Sequence, residues 1–373
     1  MKFRRPGRYV RENRQIIKGL ENQAAAFIGV TEKGATDRAI PVTSFEEYRN
    51  IFGTITDEKG LTYAVSQFFQ NGGSRLYIAR VSRDDGSNPH NSDYQKAFSL
   101  LDNVKDISIV AVPGLGLPSL IGFGSFYCQQ RGDCFFIGDM PSHIGTTAEA
   151  LSIANQISPV ISFGAVYLPW IMINDPTGKT SRLVAAPPSG AVAGIYFRTD
   201  ENRGIWKAPA GKDGTVNEAV GLSFNITSRD QDSLNSSGIN AIREFPGRGI
   251  LVWGSRTLAS QSDPEFKYVP VRRTAIFIEQ SIRKGLEWVV FEPNNEPLRT
   301  NIRQTTESFM MDLFRKGALQ GITPDEAFFV RCGRDTTALN EIDSGMLNLV
   351  IGFSLVKPAE FLILNIQLKT GKE

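Results

Sequence analysis

Short apolar segments that alternate with helical patterns place the strongest constraint on the fold of this chain. Residues 107–112 (ISIVAV) are apolar at almost every position, which is typical of strands buried on both faces of a sheet. Residues 61–70 (LTYAVSQFFQ) have instead the spacing of a helix with one apolar face. Similar pairs recur along the first half of the chain. This alternation predicts a mostly parallel α/β domain over residues 21–205.

A glycine- and proline-rich stretch predicts where this domain ends. It contains residues 185–190 (AAPPSG) and 208–214 (APAGKDG), and such clusters are typical of loops and linkers. We therefore expect a second domain over residues 206–356, with an α+β pattern. Its predicted helices are 271–284 and 301–319, and its predicted strands are 249–253, 287–292, 328–332 and 346–355.

The composition excludes several classes of protein. The 373 residues exceed what one ordinary core holds, which supports two domains. Lys and Arg total 41 against 39 Asp and Glu, a balance that argues against a general nucleic-acid binder. No apolar run reaches the roughly 18 residues of a membrane span, and the charged start lacks the apolar core of a secretion signal. Three cysteines fit a reducing compartment, so synthesis in a cytoplasm is expected.

The tail, residues 357–369 (KPAEFLILNIQLK), has the pattern of a strand. Because strand side chains alternate between faces, one face is apolar throughout and the other is half apolar. Such a segment is either the last strand of a local sheet or a strand donated to another molecule, and the pattern leaves both open. The fully apolar face contains Leu362, Leu364, Ile366 and Leu368, and the other face contains Phe361, Ile363, Asn365 and Gln367.

The first 20 residues form a second unusual terminus. Seven basic residues and one acidic residue occur there, with Tyr9, Val10, Ile16 and Ile17 interleaved. Pro6 prevents one long helix, so an extended segment is expected. It is a frayed end, a basic arm that binds nucleic acid or an anionic membrane, or a second docking arm.

Groups suited to catalysis are few. The two histidines are His90, in a polar loop, and His143, which follows a predicted strand. Asp139 and His143 offer a hydrolase alternative, because strand ends are where such residues sit. However, the chain has no G-x-S-x-G nucleophile elbow. We therefore expect no catalytic residues.

Signals for cofactors and metals are equally weak. Residues 178–180 (GKT) match the end of a phosphate-binding loop, but Ile173 stands where that loop requires glycine. Cys128 and Cys134 have no nearby histidine and make a poor zinc site. We expect no cofactor and no metal, and a structural or binding role is favoured.

Several long blocks of the sequence, in order, resemble the contractile tail sheath proteins of phages, R-type bacteriocins and related contractile injection systems. The similarity covers nearly the whole chain, and so many ordered blocks are more specific than any short motif. The blocks are residues 6–10 (PGRYV), 24–34 (AAAFIGVTEKG), 42–53 (VTSFEEYRNIFG), 61–81, 187–211 (PPSGAVAGIYFRTDENRGIWKAPAG), 245–258 (FPGRGILVWGSRTL), 288–298 (WVVFEPNNEPL), 317–332 and 357–361 (KPAEF).

The resemblance implies a two-domain sheath subunit with an outer α/β domain and an inner, tube-facing α+β domain. Residues 1–20 and 357–373 would be arms that add strands to neighbouring subunits. Such subunits form a six-fold helical stack around an inner tube and contract to drive the tube through a cell envelope. The implied partners are further copies of the chain, the tube protein, and baseplate and terminal cap proteins. No enzyme activity, nucleic acid partner or membrane insertion is implied.

Within this interpretation we assign the contacts to particular residues as a hypothesis. The helix at 301–319 is expected to face the tube, with Ile302, Phe309 and Met310 among its core positions. Its alternative is an ordinary solvated helix face. The residues assigned to the arm strands are Tyr9, Val10, Ile16, Ile17, Phe361, Leu362, Ile363, Leu364, Ile366 and Leu368. Those assigned to the tube-facing helix are Arg303, Glu307, Asp312, Arg315 and Lys316.

Three questions stay open at this level. The chain fits a phage tail, a bacteriocin or a toxin-delivering injection system, assembled in a bacterial cytoplasm and, in the latter cases, released. The presence of sheath paralogues in the same particle is undetermined. So is the state of the subunit, extended or contracted.

Overall fold

The computed structural model describes residues 16–21, 23–55, 60–82, 89–259, 261–333, 336 and 346–355, together with the backbone of Leu362–Lys369. These residues divide into two compact units. We call the described residues of Glu21–Phe277 the main unit. The terminal unit consists of the described residues of Met1–Leu20 and Ile278–Glu373.

The main unit contains strands and helices in alternation over most of its length. Its strands are β1 Ala24–Val30, β2 Ile40–Val42, β3 Leu76–Val81, β4 Ile107–Ala111, β5 Phe135–Asp139, β6 Gly164–Leu168, β7 Ile171–Asn174, β8 Leu183–Ala186, β9 Ala219–Leu222, β10 Ile239–Phe245 and β11 Gly249–Val252. Its helices are α1 Phe45–Phe52, α2 Leu61–Gln70, α3 Asn91–Phe98, α4 Pro118–Arg131, α5 Thr147–Ala154, α6 Pro188–Arg203 and α7 Ser228–Ser236, with 3-10 turns at Ser99–Leu101 and Gly211–Gly214.

A large twisted sheet organises the main unit. Among the described residues its strand order is β11-β10-β6-β5-β4-β1-β3-β2. The pairs from β10 through β3 are parallel, and the outermost strands β2 and β11 are antiparallel to their neighbours. The predicted mostly parallel α/β fold is confirmed. A smaller antiparallel sheet of order β8-β7-β9 accompanies it.

Both faces of the large sheet are covered by apolar side chains. Along β1, Phe27 belongs to a core cluster with side chains of α1, α2 and α6, whereas Ile28 belongs to a cluster with side chains of α3 and α4. This alternation explains why the strand sequences are apolar at successive positions, since a parallel strand covered by helices has no solvent face.

Close contact between α2 and α6 depends on two glycines. A Cβ atom at Gly190 would lie 2.3 Å from the carbonyl oxygen of Ala64, and one at Gly194 would lie 2.5 Å from that of Phe68. The two backbones therefore approach more closely than any larger residue permits. This packing accounts for the small residues of the segment PPSGAVAG, residues 187–194.

The predicted domain boundary at 205/206 is corrected by the sheet pairing. β10 is parallel to β6, with Ile239 opposite Val166, and β9 pairs with β7. Residues beyond 205 therefore complete the main unit, which ends at Phe277. The proline-rich signal marks the first turn of α6, where proline is favoured because its missing N–H has no helical partner.

The terminal unit combines helices with one antiparallel sheet. Its elements are the end of α8 Val269–Gly285, a 3-10 turn Glu287–Phe291, α9 Glu296–Arg315, α10 Pro324–Ala327, β12 Phe328–Arg331, β13 Met346–Phe353 and β14 Leu362–Lys369. The strand predicted at 287–292 is thus a 3-10 turn. The predicted helix at 301–319 begins earlier, because the Asn295 side chain accepts a hydrogen bond from the N–H of Leu298 at 3.0 Å and caps it.

A buried polar network fastens the first part of α8 to α6 within the main unit. The Arg273 guanidinium, 3% exposed, donates to both carboxylate oxygens of Asp200, at 2.9 and 2.5 Å. It also lies 4.6 Å from the ring centre of Tyr196, whose hydroxyl is 2.6 Å from that of Tyr167. A paired charge with satisfied neighbours is tolerated in such a place, whereas an unpaired one is not.

The first prediction concerns this ion pair. Arg273→Met should lower the free energy of unfolding by about 3 kcal/mol, because the Asp200 carboxylate then loses its counter-charge. Urea denaturation of the soluble full-length chain measures the change. The control is Arg283→Ala on the same helix, which removes an ion pair with Glu279. The Arg283 side chain is 43% exposed, so this change should lower the free energy of unfolding by at most about 0.5 kcal/mol. Equal losses in the two variants would contradict the proposed role of the network.

Candidate functional site

The terminal sheet is the first candidate surface for assembly. Its order is β12-β13-β14, and both pairs are antiparallel. β13 pairs with β14 over eight positions, from Met346 opposite Lys369 to Phe353 opposite Leu362. Among the described residues, β12 and β14 pair on one side only, so each has a free row of backbone N–H and C=O groups.

One face of β13 is anchored in the terminal unit. Leu347, Leu349, Ile351 and Phe353 are buried, at 1% exposure or less. The alternate residues Met346, Asn348 and Val350 are partly exposed. A shift of one residue in the pairing would exchange these two faces. The register of the strand opposite β13 is therefore strongly specified.

The tail thus forms the expected strand, beginning at Leu362. Ile363, Leu364, Ile366 and Leu368 also lie in β14, and Phe361 lies outside the described residues. In the single chain this strand occupies the edge of its own sheet. Of the two alternatives left open by the sequence, the isolated chain adopts the local one.

The front arm is described only from residue 16 onward, so Tyr9 and Val10 lie outside the described residues. Ile16 is 75% exposed, whereas Ile17 is buried at 4%. Ile17 packs beside Gly285 at the end of α8, where a Cβ atom would lie 2.6 Å from its Cγ1. Ile17, assigned from the sequence to an arm strand between subunits, is therefore in the core of its own terminal unit and not in a strand.

Helix α9 has the two faces that its sequence predicts. Ile302, Phe309 and Met310 are buried, as expected for its core positions. The assigned charged residues lie on the opposite side or just beyond the helix: Arg303 and Glu307 are 3.9 Å apart, Asp312 and Lys316 are 2.7 Å apart, and Arg315 is exposed. Lys316 caps the end of the helix and is not within it.

Two apolar side chains of the terminal unit were not identified as candidates from the sequence. Phe291 is 88% exposed at the end of its 3-10 turn, and Ile322 is 91% exposed before α10. Apolar side chains this exposed are candidates for burial when molecules associate. Phe291 is the last residue of the apolar segment WVVF, for which a strand over 287–292 was predicted and no exposed apolar position was assigned.

Asp139, at the end of β5, occupies the position where α/β folds commonly bind ligands. Its carboxylate is fully buried and accepts three hydrogen bonds. They come from the N–H of Gly114 at 2.9 Å, the N–H of Ser189 at 2.6 Å and the hydroxyl of Ser189 at 2.7 Å. Burial raises the pKa of the Asp139 carboxyl to about 6, and the hydrogen bonds from Gly114 and Ser189 oppose that rise.

This carboxylate takes the place that an external anion occupies in other α/β folds. Ser189 lies in the first turn of α6, where unpaired N–H groups and the helix dipole attract negative charge. Gly114 follows β4, and a Cβ atom at Gly116 would lie 2.3 Å from the backbone nitrogen of Pro141. The loop after β4 is therefore closed against the loop after β5, and its N–H group is already used.

The hydrolase alternative would require Asp139 to orient His143, and this pairing is not formed. In the described part of the chain the donors to Asp139 are Gly114 and Ser189, and His143 is exposed in the loop that follows. A triad-type base must be oriented by the carboxylate. The hydrolase alternative is therefore not supported by the geometry. Across the described residues, no group of three or more His, Cys, Asp or Glu side chains is placed to hold a metal ion.

Comparison with protein families identifies the class of protein. The family described as "Phage tail sheath protein central domain" matches residues 129–258, and the one described as "Phage tail sheath C-terminal domain" matches residues 261–369. Among curated proteins, the tail sheath protein of Vibrio phage KVP40 is 26% identical over 183 residues, which are 48% of this chain and 26% of that protein. The chain aligns with less than half the length of the curated relatives that it matches.

Solved structures extend the similarity over the whole chain. One is the PVC sheath complex of an extracellular contractile injection system in the contracted state. It is 28% identical, with a TM-score of 0.77, and the match covers 98% of this chain and 97% of that chain. Another is the helical sheath of the anti-feeding prophage in the contracted state, also 28% identical with a TM-score of 0.77, covering 97% and 99%. The chain belongs to the contractile tail sheath family. Within the described residues no helix is sufficiently long and apolar to span a bilayer.

The second prediction uses Asp139. Its folded-state pKa, about 6, lies above the ordinary 3.8, so the folded chain holds this proton to a higher pH than the unfolded chain. Its contribution to stability is therefore fully present below about pH 4 and is lost as pH rises through about 6. In the variant Asp139→Asn, the side chain at position 139 is an amide and cannot titrate. The stability of the native sequence relative to this variant should fall by about 2 kcal/mol between pH 4 and pH 7.

Urea denaturation at pH 4, 5, 6 and 7 measures this difference. The matched control is Asp37→Asn, because the Asp37 side chain is 73% exposed and should show the pH profile of the native sequence. Parallel profiles for Asp139→Asn and the native sequence would contradict the assignment of the shifted pKa.

Proposed function

We propose that this chain is the structural subunit of a contractile sheath. It polymerises as a six-fold helical stack around an inner tube and contracts to drive the tube through a target cell envelope. The main support is the match with contracted sheath chains over nearly the full length of both partners. Its partners would be further copies of itself, the tube protein, and baseplate and terminal cap proteins. It would be assembled in a bacterial cytoplasm, as part of a phage tail or a related particle.

Strand exchange is the proposed link between subunits. The free edge of β14 and the free edge of β12 offer main-chain donors and acceptors to strands of other chains. In the sheath, the tail of one subunit would pair with β13 of another in the register seen here within one chain. Tyr9, Val10 and Ile16 would extend the same sheet from the front arm. Head-to-tail links of this kind extend into a helix when they do not close into a ring.

The proposed mechanism requires no chemical step. Each unit has its own packed core and moves as a body, while the linked arms act as hinges. The energy would be stored in the extended arrangement and released as new contacts form between copies. Phe291 and Ile322 are exposed apolar side chains that such contacts can bury. The occupied hydrogen bonds of Asp139 agree with a non-enzymatic role.

The third prediction tests whether the tail strand is donated. Val350 lies opposite Asn365 in the β13–β14 register. Val350→Cys together with Asn365→Cys should therefore allow a disulfide under mild oxidation. In assembled sheath a donated strand gives covalent ladders on non-reducing gels, because the two cysteines belong to different chains. In soluble, unassembled chain the same variant should give a cross-link within one chain.

Each single cysteine variant serves as the control, because neither can form this disulfide alone. Electron microscopy must show hollow helical tubes for the assembled sample. If tubes form and the double variant still cross-links only within single chains, the strand is not donated and the linking proposal is wrong.

The fourth prediction concerns α9, which we propose faces the inner tube. Its ion pairs Arg303–Glu307 and Asp312–Lys316 are exposed, and such pairs contribute only about 0–1 kcal/mol each. A surface of this kind can release its partner easily. Arg315→Glu should reduce the affinity for the tube at least about tenfold by reversing one exposed charge. It should lower the free energy of unfolding by no more than about 1 kcal/mol.

Co-sedimentation with polymerised tube measures the binding, and electron microscopy checks that empty sheath still forms. The control variant is Arg229→Glu, which reverses an exposed charge on α7 in the main unit. Tube binding by Arg315→Glu at the level of the native sequence would remove α9 from the proposed tube contact.

A further inference from the structure

Two buried cysteines of the main unit lie in contact with each other. Cys128 is in the last turn of α4, and Cys134 directly precedes β5. Their side chains are 0% and 1% exposed, and their Sγ atoms are 3.3 Å apart. Both are thiols in this structure. A disulfide bond is about 2.0 Å long, so side-chain rotations that bring the two sulfur atoms about 1.3 Å closer would form one.

The turn between the two cysteines is fixed by backbone contacts that do not involve sulfur. Gly132 has a φ of 73°, in the left-handed region, and its N–H donates to the carbonyl oxygen of Cys128 at 2.9 Å. A glycine in this conformation ends a helix and reverses the direction of the chain. The chain therefore returns beside the end of α4, and this return places Cys134 against Cys128.

The Arg131 side chain holds the same turn. Its guanidinium forms a two-pronged ion pair with Asp133, at 2.8 Å to each carboxylate oxygen. It also donates to the carbonyl oxygens of Leu101 and Val104, at 2.6 and 2.8 Å. The Arg131 side chain is only 11% exposed, so water weakens these contacts less than it weakens a surface pair. The two thiols are therefore held in contact before any bond forms, which favours an intramolecular reaction between them.

A redox role accounts for this contact better than a metal site or simple core packing. Zinc sites use three or four protein ligands, and within the described residues no group of three or more His, Cys, Asp or Glu side chains is placed to hold a metal ion. Buried cysteines also serve as small apolar side chains, but that role does not require two sulfur atoms to meet. A thiol beside a second thiol can close a disulfide by exchange with an external one.

We propose that Cys128 and Cys134 form a reversible disulfide, which is open in a reducing compartment and closes when the chain meets a small-molecule disulfide. The closed bond would join the end of α4 to the start of β5 and stabilise the main unit. This stability would be added where cellular thiols no longer keep cysteines reduced. Both cysteines belong to the main unit, so the reaction does not depend on assembly.

The reaction consists of two thiol–disulfide exchanges. One cysteine thiolate attacks a sulfur atom of oxidised glutathione, which breaks that S–S bond and releases one glutathione thiolate. The second cysteine thiolate then attacks the protein sulfur of the mixed disulfide, forms the Cys128–Cys134 bond and releases the second glutathione thiolate. The two protein thiols lose two electrons, which reduce the oxidant, and their two protons pass to the released thiolates or to water.

Burial controls the rate of the first exchange. Burial raises the pKa of the Cys134 thiol well above its usual range, and the hydrogen bond to Cys128 adds to the rise. The fraction of thiolate that can attack is therefore small, and the oxidant reaches the pair through local opening at the end of α4. The second exchange is fast because the partner sulfur is already in contact. We expect the disulfide within the chain to accumulate, with no lasting glutathione adduct.

Incubation of the native full-length chain with oxidised glutathione tests the pair. Trypsin cleaves after Arg131, between the two cysteines, so a disulfide keeps peptides 106–131 and 132–179 linked until it is reduced. Mass spectrometry after alkylation of the remaining thiols should show these linked peptides as the main oxidised product. The matched control is Cys332→Ala, which removes a cysteine that is also buried, at 2% exposure, and should leave the link unchanged.

Thermal unfolding measures whether the bond stabilises the chain. The oxidised native sequence should have a Tm roughly 3–6 °C above that of the reduced one, because a short loop is closed in the unfolded state. The double variant Cys128→Ala with Cys134→Ala cannot form the bond, so its Tm should be the same under both conditions. Cys332→Ala should keep the full rise. A Tm of the native sequence that stays equal or falls on oxidation would overturn the stabilising role.

Arg131→Lys tests the positioning of the pair. Lysine keeps the charge and the trypsin site, but it cannot hold Asp133 and two carbonyl oxygens in one plane. In glutathione buffers, the equilibrium constant for forming the disulfide should fall about tenfold, because the turn is held less firmly. Arg229→Lys, which changes an exposed arginine on α7, is the matched control and should equal the native sequence. An unchanged constant for Arg131→Lys would remove Arg131 from this role.

The proposal as a whole is overturned by any of three results. The first is that the native chain gives no linked peptides after prolonged incubation with oxidised glutathione. The second is that glutathione adducts of single cysteines are the main product. The third is that the disulfide persists at the glutathione ratio of a reducing cytoplasm, since the pair would then not respond to the change of compartment.

Discussion

The pairing of β13 with the tail strand β14 is the interaction on which the terminal sheet depends. Its buried positions Leu347, Leu349 and Ile351 lie opposite Leu368, Ile366 and Leu364 in the register with β14. These are members of the tail's fully apolar face. Residues opposite each other in an antiparallel pair share a face of the sheet, so whichever chain supplies the strand must supply this register. The local pairing in the single chain and the proposed pairing between chains therefore use the same backbone groups and compete for one position.

In the main unit, a side chain of the protein itself occupies the position of a common ligand site. Folds of this type commonly leave a ligand crevice where strands end and helix N-termini point inward. Here Asp139 supplies the negative charge from within the chain and satisfies donors from Gly114 and Ser189. The same three contacts tie the loop after β4, the end of β5 and the start of α6 together. This end of the sheet is therefore a structural junction between three segments of the chain.

Local signals account for the parts of the fold that could be predicted from the sequence. The apolar strands and the core positions of α9 each depend on neighbours within a few residues. The errors arise where distant contacts decide. Helix α6 resembled a linker because its small residues meet α2, and the donors to Asp139 are 25 and 50 residues away. Ile17 is buried, and it packs beside Gly285, which is distant in the sequence.

The strengths of the polar contacts differ in a way that fits movement of rigid bodies. The Arg273–Asp200 pair is buried on the arginine side and bidentate, so the packing of the first part of α8 on α6 within the main unit resists change. The ion pairs on α9 are exposed on both sides and individually weak. A sheath subunit must keep its internal geometry while its outer contacts are exchanged, because contraction replaces one set of neighbours by another. The buried contacts are strong and preserve the internal geometry. The surface contacts are weak, so they can be exchanged while the buried network stays intact.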